Sequence, residues 1–111
     1  IVDRLINAGV DGFQGFQEKY GVDFAALTRM KAKDGKPLLL IGSIQVSTTL
    51  AFGTVETVKK DVERCINLAM EGRGGGGYIL GTDTNISPDV PPENIFAMYE
   101  HGRTYGGKVL S

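Results

Sequence analysis

The sequence predicts an α/β domain in which parallel strands alternate with flanking helices. Three short apolar runs bounded by turn residues lie at 10–16, 36–45 and 77–81. Each run is followed by apolar residues at helical spacing or by a proline-marked helix start. Helical connections of roughly 10 to 15 residues between strands indicate βαβ units, whose strands are parallel. At 111 residues the chain is expected to form one domain, residues 1–111.

The first half of the chain is predicted to form a helix, a strand, a helix and a strand. Ile1, Val2, Leu5 and Ile6 recur at helical spacing, and Gly9 is predicted to end that helix. The segment 10–16, VDGFQGF, follows as a short strand, and 22–35 is predicted as a helix that its final glycine ends. The segment 36–45, KPLLLIGSIQ, is predicted as a buried strand, because a continuous Leu and Ile run suits a strand covered on both faces.

The second half contains the strongest helix prediction, over residues 53–72. Thr54 can cap its first free N–H groups, and apolar residues recur there at three- and four-residue spacing, namely Val55, Val58, Val62, Cys65 or Ile66, and Ala69. The segment GYILG is the third predicted strand. Pro91 and Pro92 are then placed in the first turn of a last helix, where a missing N–H costs little. Gly106 and Gly107 are predicted to end this helix.

Composition excludes several classes of function. Twelve Lys and Arg residues against thirteen Asp and Glu residues give a net charge of -1, which is unlike a nucleic-acid-binding protein. The apolar runs are far shorter than the ~20 residues that span a bilayer, so no membrane association is expected and a cytoplasmic location is the default. A single cysteine cannot form an intramolecular disulfide or a multi-cysteine metal site.

Polar residues follow each of the three predicted strands. Ligands approach parallel sheets at the carboxyl ends of the strands, so these residues are the candidates for a site. They are Gln14, Gln17 and Glu18 after the first strand, Ser43 and Gln45 after the second, and Asp83, Thr84 and Asn85 after the third. The glycine-rich stretch RGGGG at 73–77 precedes a strand and lacks a following Gly-Lys-Ser/Thr, so it is not read as a phosphate loop.

Three segments in order resemble the uroporphyrinogen decarboxylase superfamily. LINAGVDGFQ is similar to the family's strand entry, IGSIQVSTTLAFGTVETVKKDV to the segment that follows, and GYILG with the later PPENI to the family's C-terminal segment. The resemblance covers nearly the whole chain. It implies that the chain is the C-terminal three βα units of a TIM (β/α)8 barrel and a fragment of a longer protein, because such barrels take ~250 residues.

The resemblance implies two chemistries. One branch decarboxylates uroporphyrinogen without a cofactor, and the other moves methyl groups between corrinoids and thiols with zinc. Decarboxylases carry a His in the turn after the last strand and methyltransferases a zinc-ligand Cys, whereas this chain has Thr84 there. Threonine is not a suitable zinc ligand, so neither zinc nor another cofactor is expected to bind this chain alone, although a corrinoid or zinc remains possible in a full-length protein.

PPENI and the long turn before it resemble the methyltransferase branch more closely, so corrinoid-dependent methyl transfer is the first functional expectation. The alternatives are a tetrapyrrole decarboxylase and a catalytically inert half-barrel that self-associates. Unpaired sheet edges seek partners, so a homo-oligomer or association with the missing N-terminal half is expected. A tetrapyrrole or corrinoid is the expected small-molecule partner.

The candidate residues carry alternative interpretations. Asp83 and Glu18 are the candidate catalytic groups, although neither matches a catalytic position of the family cleanly. Gln14, Gln17, Ser43, Gln45, Thr84 and Asn85 are the candidate substrate-binding residues, and no residue is assigned to a metal. Asp83 and Thr84 can equally hold a turn, and Glu18 can be a solvated or helix-start charge. His101 is expected only to favour the dipole at the end of the last helix, and Cys65 to pack in the core.

Overall fold

A computed structural model describes residues 2–18, 21–73 and 76–110 of the chain. Within these ranges helices α1 (Val2–Asn7), α2 (Phe24–Arg29), α3 (Val55–Arg73) and α4 (Pro92–Leu110) alternate with strands β1 (Gly12–Gln14), β2 (Leu39–Ile41) and β3 (Tyr78–Ile79). The predicted order of helices and strands is therefore confirmed. Ile1 of the first predicted helix and two glycines of RGGGG, Gly74 and Gly75, lie outside the described residues.

The three strands form one parallel sheet in the order β1-β2-β3. Phe13 pairs with Leu40, and Leu40 pairs in turn with Tyr78 on β3. A bridge between Ile44 and Thr82 continues the parallel pairing beyond the ends of β2 and β3. The α/β class with parallel strands is confirmed, and the residues that follow all three strands meet at one edge of the sheet.

The helices cover one face of this sheet. Leu40 is fully buried, Phe13 and Tyr78 pack against the same core, and the rings of Phe24 and Tyr78 are 5.7 Å apart. On the other face Leu39 is 45% exposed and Ile79 is 53% exposed. The prediction that the second strand is covered on both faces is therefore wrong for the described chain, because its alternate side chains point away from the helices.

Helix α3 begins as its sequence predicts. The hydroxyl oxygen of Thr54 accepts a hydrogen bond from the backbone N–H of Thr57 at 3.2 Å, which satisfies one of the free N–H groups of the first turn. The buried side chains of α3 are those of Val58, Val62, Cys65, Ile66 and Ala69, and all five were predicted as apolar positions of this helix. Packing between α3 and its neighbours α2 and α4 builds the helical layer.

Helix α2 is shorter than predicted and ends at Arg29 rather than at Gly35. Met30 is extended, and the residues after it turn back so that Lys31 forms an antiparallel bridge with Pro37. The Asp34 carboxylate accepts a hydrogen bond from the backbone N–H of Lys36 at 3.1 Å. Such local side-chain hydrogen bonds stabilise turns at the expense of helix, which explains the early end.

Helix α4 is longer than predicted, because it runs through Gly106 and Gly107 to Leu110. A Cβ placed at Gly106 would lie 3.9 Å from the Ile66 side chain, so this part of α4 is packed on α3. Tertiary packing overrides the poor helix propensity of glycine here. None of the helices in the described ranges has both the length and the hydrophobicity needed to cross a membrane.

A short helix at Val46–Leu50, which follows the extended end of β2, was not predicted. Its sequence, VSTTL, is rich in β-branched residues and gives a poor local helix signal. Val46 and Leu50 are both buried, so the segment is held by the core rather than by its own propensity.

Candidate functional site

The end of β1 and the loops that follow β1 and β3 line an open pocket of about 490 Å³ at the carboxyl edge of the sheet. The residues that line it are Gln14, Gly15, Thr82, Asp83, Thr84, Asn85 and Ile86. Four of the predicted site residues are therefore among the pocket-lining residues: Gln14, Asp83, Thr84 and Asn85. Strand order and parallel pairing bring them together, as expected for this edge of a parallel sheet.

Asp83 lies at the centre of this arrangement and is only 3% exposed. Its Oδ1 atom accepts a 2.9 Å hydrogen bond from the backbone N–H of Val46, at the start of the short helix. Its Oδ2 atom accepts a 3.3 Å hydrogen bond from the Gln17 side-chain amide. One carboxylate therefore joins the loops that follow all three strands.

The floor of the pocket depends on a close backbone approach. Gly15 has a φ of +72°, and a Cβ at this position would lie 2.9 Å from the Asp83 carbonyl oxygen. The Thr82 hydroxyl donates a 2.6 Å hydrogen bond to the Thr84 carbonyl, which tightens the turn after β3. Thr84 and Asn85 themselves are exposed at the rim.

Ser43 and Gln45 lie next to the pocket but are not among the described residues that line it. Ser43 is fully buried, and its hydroxyl donates a 2.6 Å hydrogen bond to the Phe16 carbonyl. The Gln45 amide nitrogen lies 3.4 Å from the Ser43 hydroxyl oxygen. The side-chain Oε1 atom of Gln45 has no hydrogen-bond partner among the described residues. These two side chains hold the ends of β1 and β2 together.

Glu18 points to α3 rather than into the pocket. Its two carboxylate oxygens accept hydrogen bonds of 2.8 and 3.0 Å from the Arg64 guanidinium, which also donates to Asp61 at 2.8 Å. The hydrogen bond with Glu18 raises the pKa of Arg64. Glu18 is thus a bidentate ion-pair partner, and the catalytic role predicted for it stays a prediction.

Cys65 on α3 lies in the core between the helices and the sheet, and the side chain of Tyr78 on β3 packs against the same core. Cys65 is fully buried, and burial raises the pKa of its thiol to about 11, which keeps the thiol protonated near neutral pH. Burial also raises the pKa of Tyr78, whose hydroxyl donates a hydrogen bond to the Gly42 carbonyl. The prediction that Cys65 packs in the core is confirmed.

His101 has a different environment from the predicted one. Because α4 continues to Leu110, His101 lies in the middle of the helix, and its Nε2 is 2.7 Å from a Glu63 carboxylate oxygen on α3. Its ring stacks on Tyr105 at 5.7 Å. The expectation that His101 only favours the helix dipole is therefore wrong, since it forms a side-chain contact between two helices.

Asn94 is a structural residue of the site region that the sequence interpretation missed. It belongs to the PPENI motif, is 2% exposed, and donates 2.8 Å hydrogen bonds to the carbonyls of Leu50 and Gly53. These carbonyls lie at and just beyond the end of the short helix. Its burial could have been predicted from spacing, because Asn94 lies three and four residues before Ala97 and Met98, which are buried on the same face of α4.

The donor groups of the described chain do not suit a zinc site. No group of three His, Cys, Asp or Glu side chains close enough to hold a metal occurs among residues 2–18, 21–73 and 76–110. Cys65 is enclosed in the core, and His101 is engaged by Glu63. Thr84 at the pocket rim is a poor zinc ligand, so we derive no zinc chemistry from these residues.

Comparison with known proteins supports the resemblance seen in the sequence. No curated protein sequence matches the chain at a significant level. The profile of the uroporphyrinogen decarboxylase (URO-D) family matches residues 1–105, which is nearly the whole chain. That match spans all three strands and the loops that form the pocket. The chain therefore belongs to the uroporphyrinogen decarboxylase superfamily.

Proposed function

We propose that the chain is the C-terminal three βα units of a TIM (β/α)8 barrel and that its pocket is one wall of the barrel mouth. Consecutive strands are neighbours, and the helices lie on one face of the sheet, as in such a barrel. The other face carries the exposed apolar side chains of Leu39 and Ile79, which would point into the barrel interior. The edges at β1 and β3 have no strand partner among the described residues.

Within this architecture, the function supported best is a part in corrinoid-dependent methyl transfer. The observation that carries the proposal is the pocket at the carboxyl edge of the sheet, beside which Asp83 joins the three strand-end loops, in a chain of this superfamily. The PPENI segment and the long turn before it favour the methyltransferase branch, and Asn94 of that segment holds the loop after β2 in place. A corrinoid, when bound, supplies the cobalt centre that carries the methyl group.

The chain's own residues are assigned binding and positioning roles in this proposal. Gln14, Thr84 and Asn85 face a ligand at the rim, and Gln17 contacts it from the loop after β1. Asp83 is the candidate catalytic carboxylate, although both of its oxygens are already hydrogen-bonded. Ser43, Gln45 and Glu18 support the loops from behind the pocket.

Decarboxylation of a tetrapyrrole is the second candidate, since the superfamily match alone does not separate the two reactions. A third is a catalytically inert fragment that associates through its open sheet edges and its exposed apolar face. Such edges present free backbone N–H and C=O groups to any second strand. A second copy or the remaining barrel units would satisfy these groups.

Sedimentation velocity with hydroxocobalamin tests the proposal directly. Protein absorbance and the visible corrinoid band are recorded together for the purified chain. We expect the corrinoid to sediment with a dimer or larger species. A protein boundary free of corrinoid colour, in a sample whose strands are protected from hydrogen exchange, would contradict corrinoid binding by this wall. A monomer at tens of micromolar would contradict association.

A further inference from the structure

The charges around the pocket limit what it can bind. Of the described residues that line the pocket, none is Lys, Arg or His, and one, Asp83, is acidic. The Arg64 guanidinium, which contacts the loop after β1 from α3, is already engaged by Glu18 and Asp61. No described lining residue is therefore available to neutralise an anionic ligand.

The hydrogen-bonding groups of the lining lead to the same conclusion. The Thr82 hydroxyl donates its proton to the Thr84 carbonyl, so its oxygen can offer a ligand only an acceptor. An ionised carboxylate such as Asp83 also only accepts. The side-chain amides of Gln14 and Asn85 and the Thr84 hydroxyl can both accept and donate. Among the described lining residues, more side chains can therefore accept a hydrogen bond than can donate one, and none carries a positive charge.

We propose that the part of the ligand which contacts this pocket carries hydrogen-bond donors and no carboxylate, and this inference rests on the proposed function. An amide, hydroxyl or ammonium group would find acceptors at the wall. A carboxylate would lose hydration and meet a second negative charge without compensation. Among tetrapyrroles, the wall suits a corrinoid edge that bears primary amides and disfavours an edge that bears carboxylates.

Small probes test the inference without assuming any tetrapyrrole. The ¹⁵N-labelled chain is titrated with acetamide and, at matched ionic strength, with acetate, while the amide signals of Gln14, Asn85 and residues 82–86 are followed. We expect saturable shifts with acetamide and binding of acetate that is at least about tenfold weaker. Acetate binding at equal or higher affinity, or no response to acetamide, would overturn the inference.

A variant that adds one positive charge provides a gain-of-binding test. Asn85→Arg places a guanidinium at the exposed rim, and Thr104→Arg places the same group on the exposed face of α4 as a control. We expect Asn85→Arg to raise the affinity for acetate about three- to tenfold and Thr104→Arg to leave it unchanged. An unchanged acetate affinity in Asn85→Arg would show that missing positive charge does not exclude carboxylates.

Cyanocobalamin and uroporphyrin separate this inference from the proposed function. The first is edged with amides and the second with carboxylates, and both are titrated while the same signals are followed. If acetamide binds the pocket and cyanocobalamin does not, the corrinoid proposal fails while the inference stands. If uroporphyrin binds the pocket more tightly than cyanocobalamin, the inference fails even though a tetrapyrrole site is present.

Discussion

The Asp83 carboxylate accepts a 2.9 Å hydrogen bond from the backbone N–H of Val46, a residue 37 positions earlier in the chain. At the far end of the same short helix, Asn94 donates to the carbonyls of Leu50 and Gly53. The stretch from Asp83 to Asn94 therefore holds both ends of the segment 46–53. Because these contacts are buried or part-buried, the turn after β3 and the start of α4 together fix where the loop after β2 lies beside the pocket.

Removing the Asp83 carboxylate should destabilise the chain. We expect Asp83→Ala to lower the free energy of unfolding by about 1–3 kcal/mol, because the buried Val46 N–H would lose its acceptor. Asp83→Asn retains an acceptor oxygen and should cost less. Urea unfolding followed by circular dichroism measures both, and Asp89→Ala, at an exposed position, should leave the midpoint unchanged. Equal losses for Asp83→Ala and Asp83→Asn would contradict the assigned hydrogen bond.

Local patterns predicted the parts of this fold that depend on neighbouring residues. Thr54 caps α3 and Pro92 begins α4 because both effects act within one helical turn. The exceptions depend on distant contacts. Gly106 stays helical where α4 packs on Ile66 of α3, and the short helix at Val46–Leu50 depends on side chains that arrive from 83 and 94. No local signal encodes these contacts.

The same distinction applies to the candidate site. Parallel strand order was enough to predict that Gln14, Asp83 and Asn85 meet, because the carboxyl ends of parallel strands share one edge. Which way each side chain turns was not predictable. Glu18 turns to Arg64 on α3, and that contact spans 46 positions in the chain. Spacing along the sequence carries no information about such a pairing.

A negative charge at position 94 should lower the stability of the chain more than truncation of the Asn94 side chain does. Asn94→Ala leaves two carbonyl oxygens without this donor, and we expect a loss of about 1–3 kcal/mol in the free energy of unfolding. Asn94→Asp should lose more, because a buried carboxylate would face those same oxygens. Asn85→Asp, at the exposed rim, is the matched control in denaturant titrations. A smaller effect for Asn94→Asp than for Asn94→Ala would argue against the donor role.

Two glycine substitutions should change stability in opposite directions. A Cβ at Gly72 would lie 2.1 Å from the Thr28 hydroxyl oxygen and 2.5 Å from Thr28 Cβ, so Gly72→Ala should cost about 1–3 kcal/mol. Gly107 has no described atom within 4 Å of such a Cβ, so Gly107→Ala should gain about 0.5–1 kcal/mol of helix stability. Thermal unfolding compares the pair. A destabilised Gly107→Ala variant would show that α4 does not continue through this position.

The contact between His101 and Glu63 should contribute modestly to the free energy of unfolding, and this contribution should depend on salt. Their side chains are 22% and 40% exposed, so solvent screens the interaction. A double-mutant cycle with His101→Ala and Glu63→Ala should give a coupling energy of about 0.2–1 kcal/mol. Under conditions where the imidazole is protonated, the coupling should shrink as NaCl is raised, because mobile ions screen partly exposed charges. A coupling that is independent of salt would indicate a neutral hydrogen bond between the two side chains instead of an ionic contact.

Burial of Cys65 should make stability fall at alkaline pH. Burial raises the pKa of the folded thiol from 9.0 to about 11, so between these values the unfolded chain loses the proton while the folded chain keeps it. The contribution of Cys65 is therefore fully present below pH 9 and is lost as the pH rises towards 11, by as much as about 1.4 kcal/mol per pH unit. Urea unfolding at pH 8, 9 and 10 measures this slope.

Cys65→Ala is the control for that slope, because it removes the thiol and keeps the burial that is the largest cause of the raised pKa of Tyr78. We expect the wild-type chain to lose more stability than Cys65→Ala over the same pH range. The packing loss of the variant does not depend on pH, so the difference between the two slopes reports the thiol together with its own contribution to the pKa of Tyr78. In parallel, iodoacetamide at pH 8 should label Cys65 only after unfolding, since the folded thiol is both enclosed and protonated. Parallel slopes, or rapid labelling of the folded chain, would mean that the thiol is accessible to solvent.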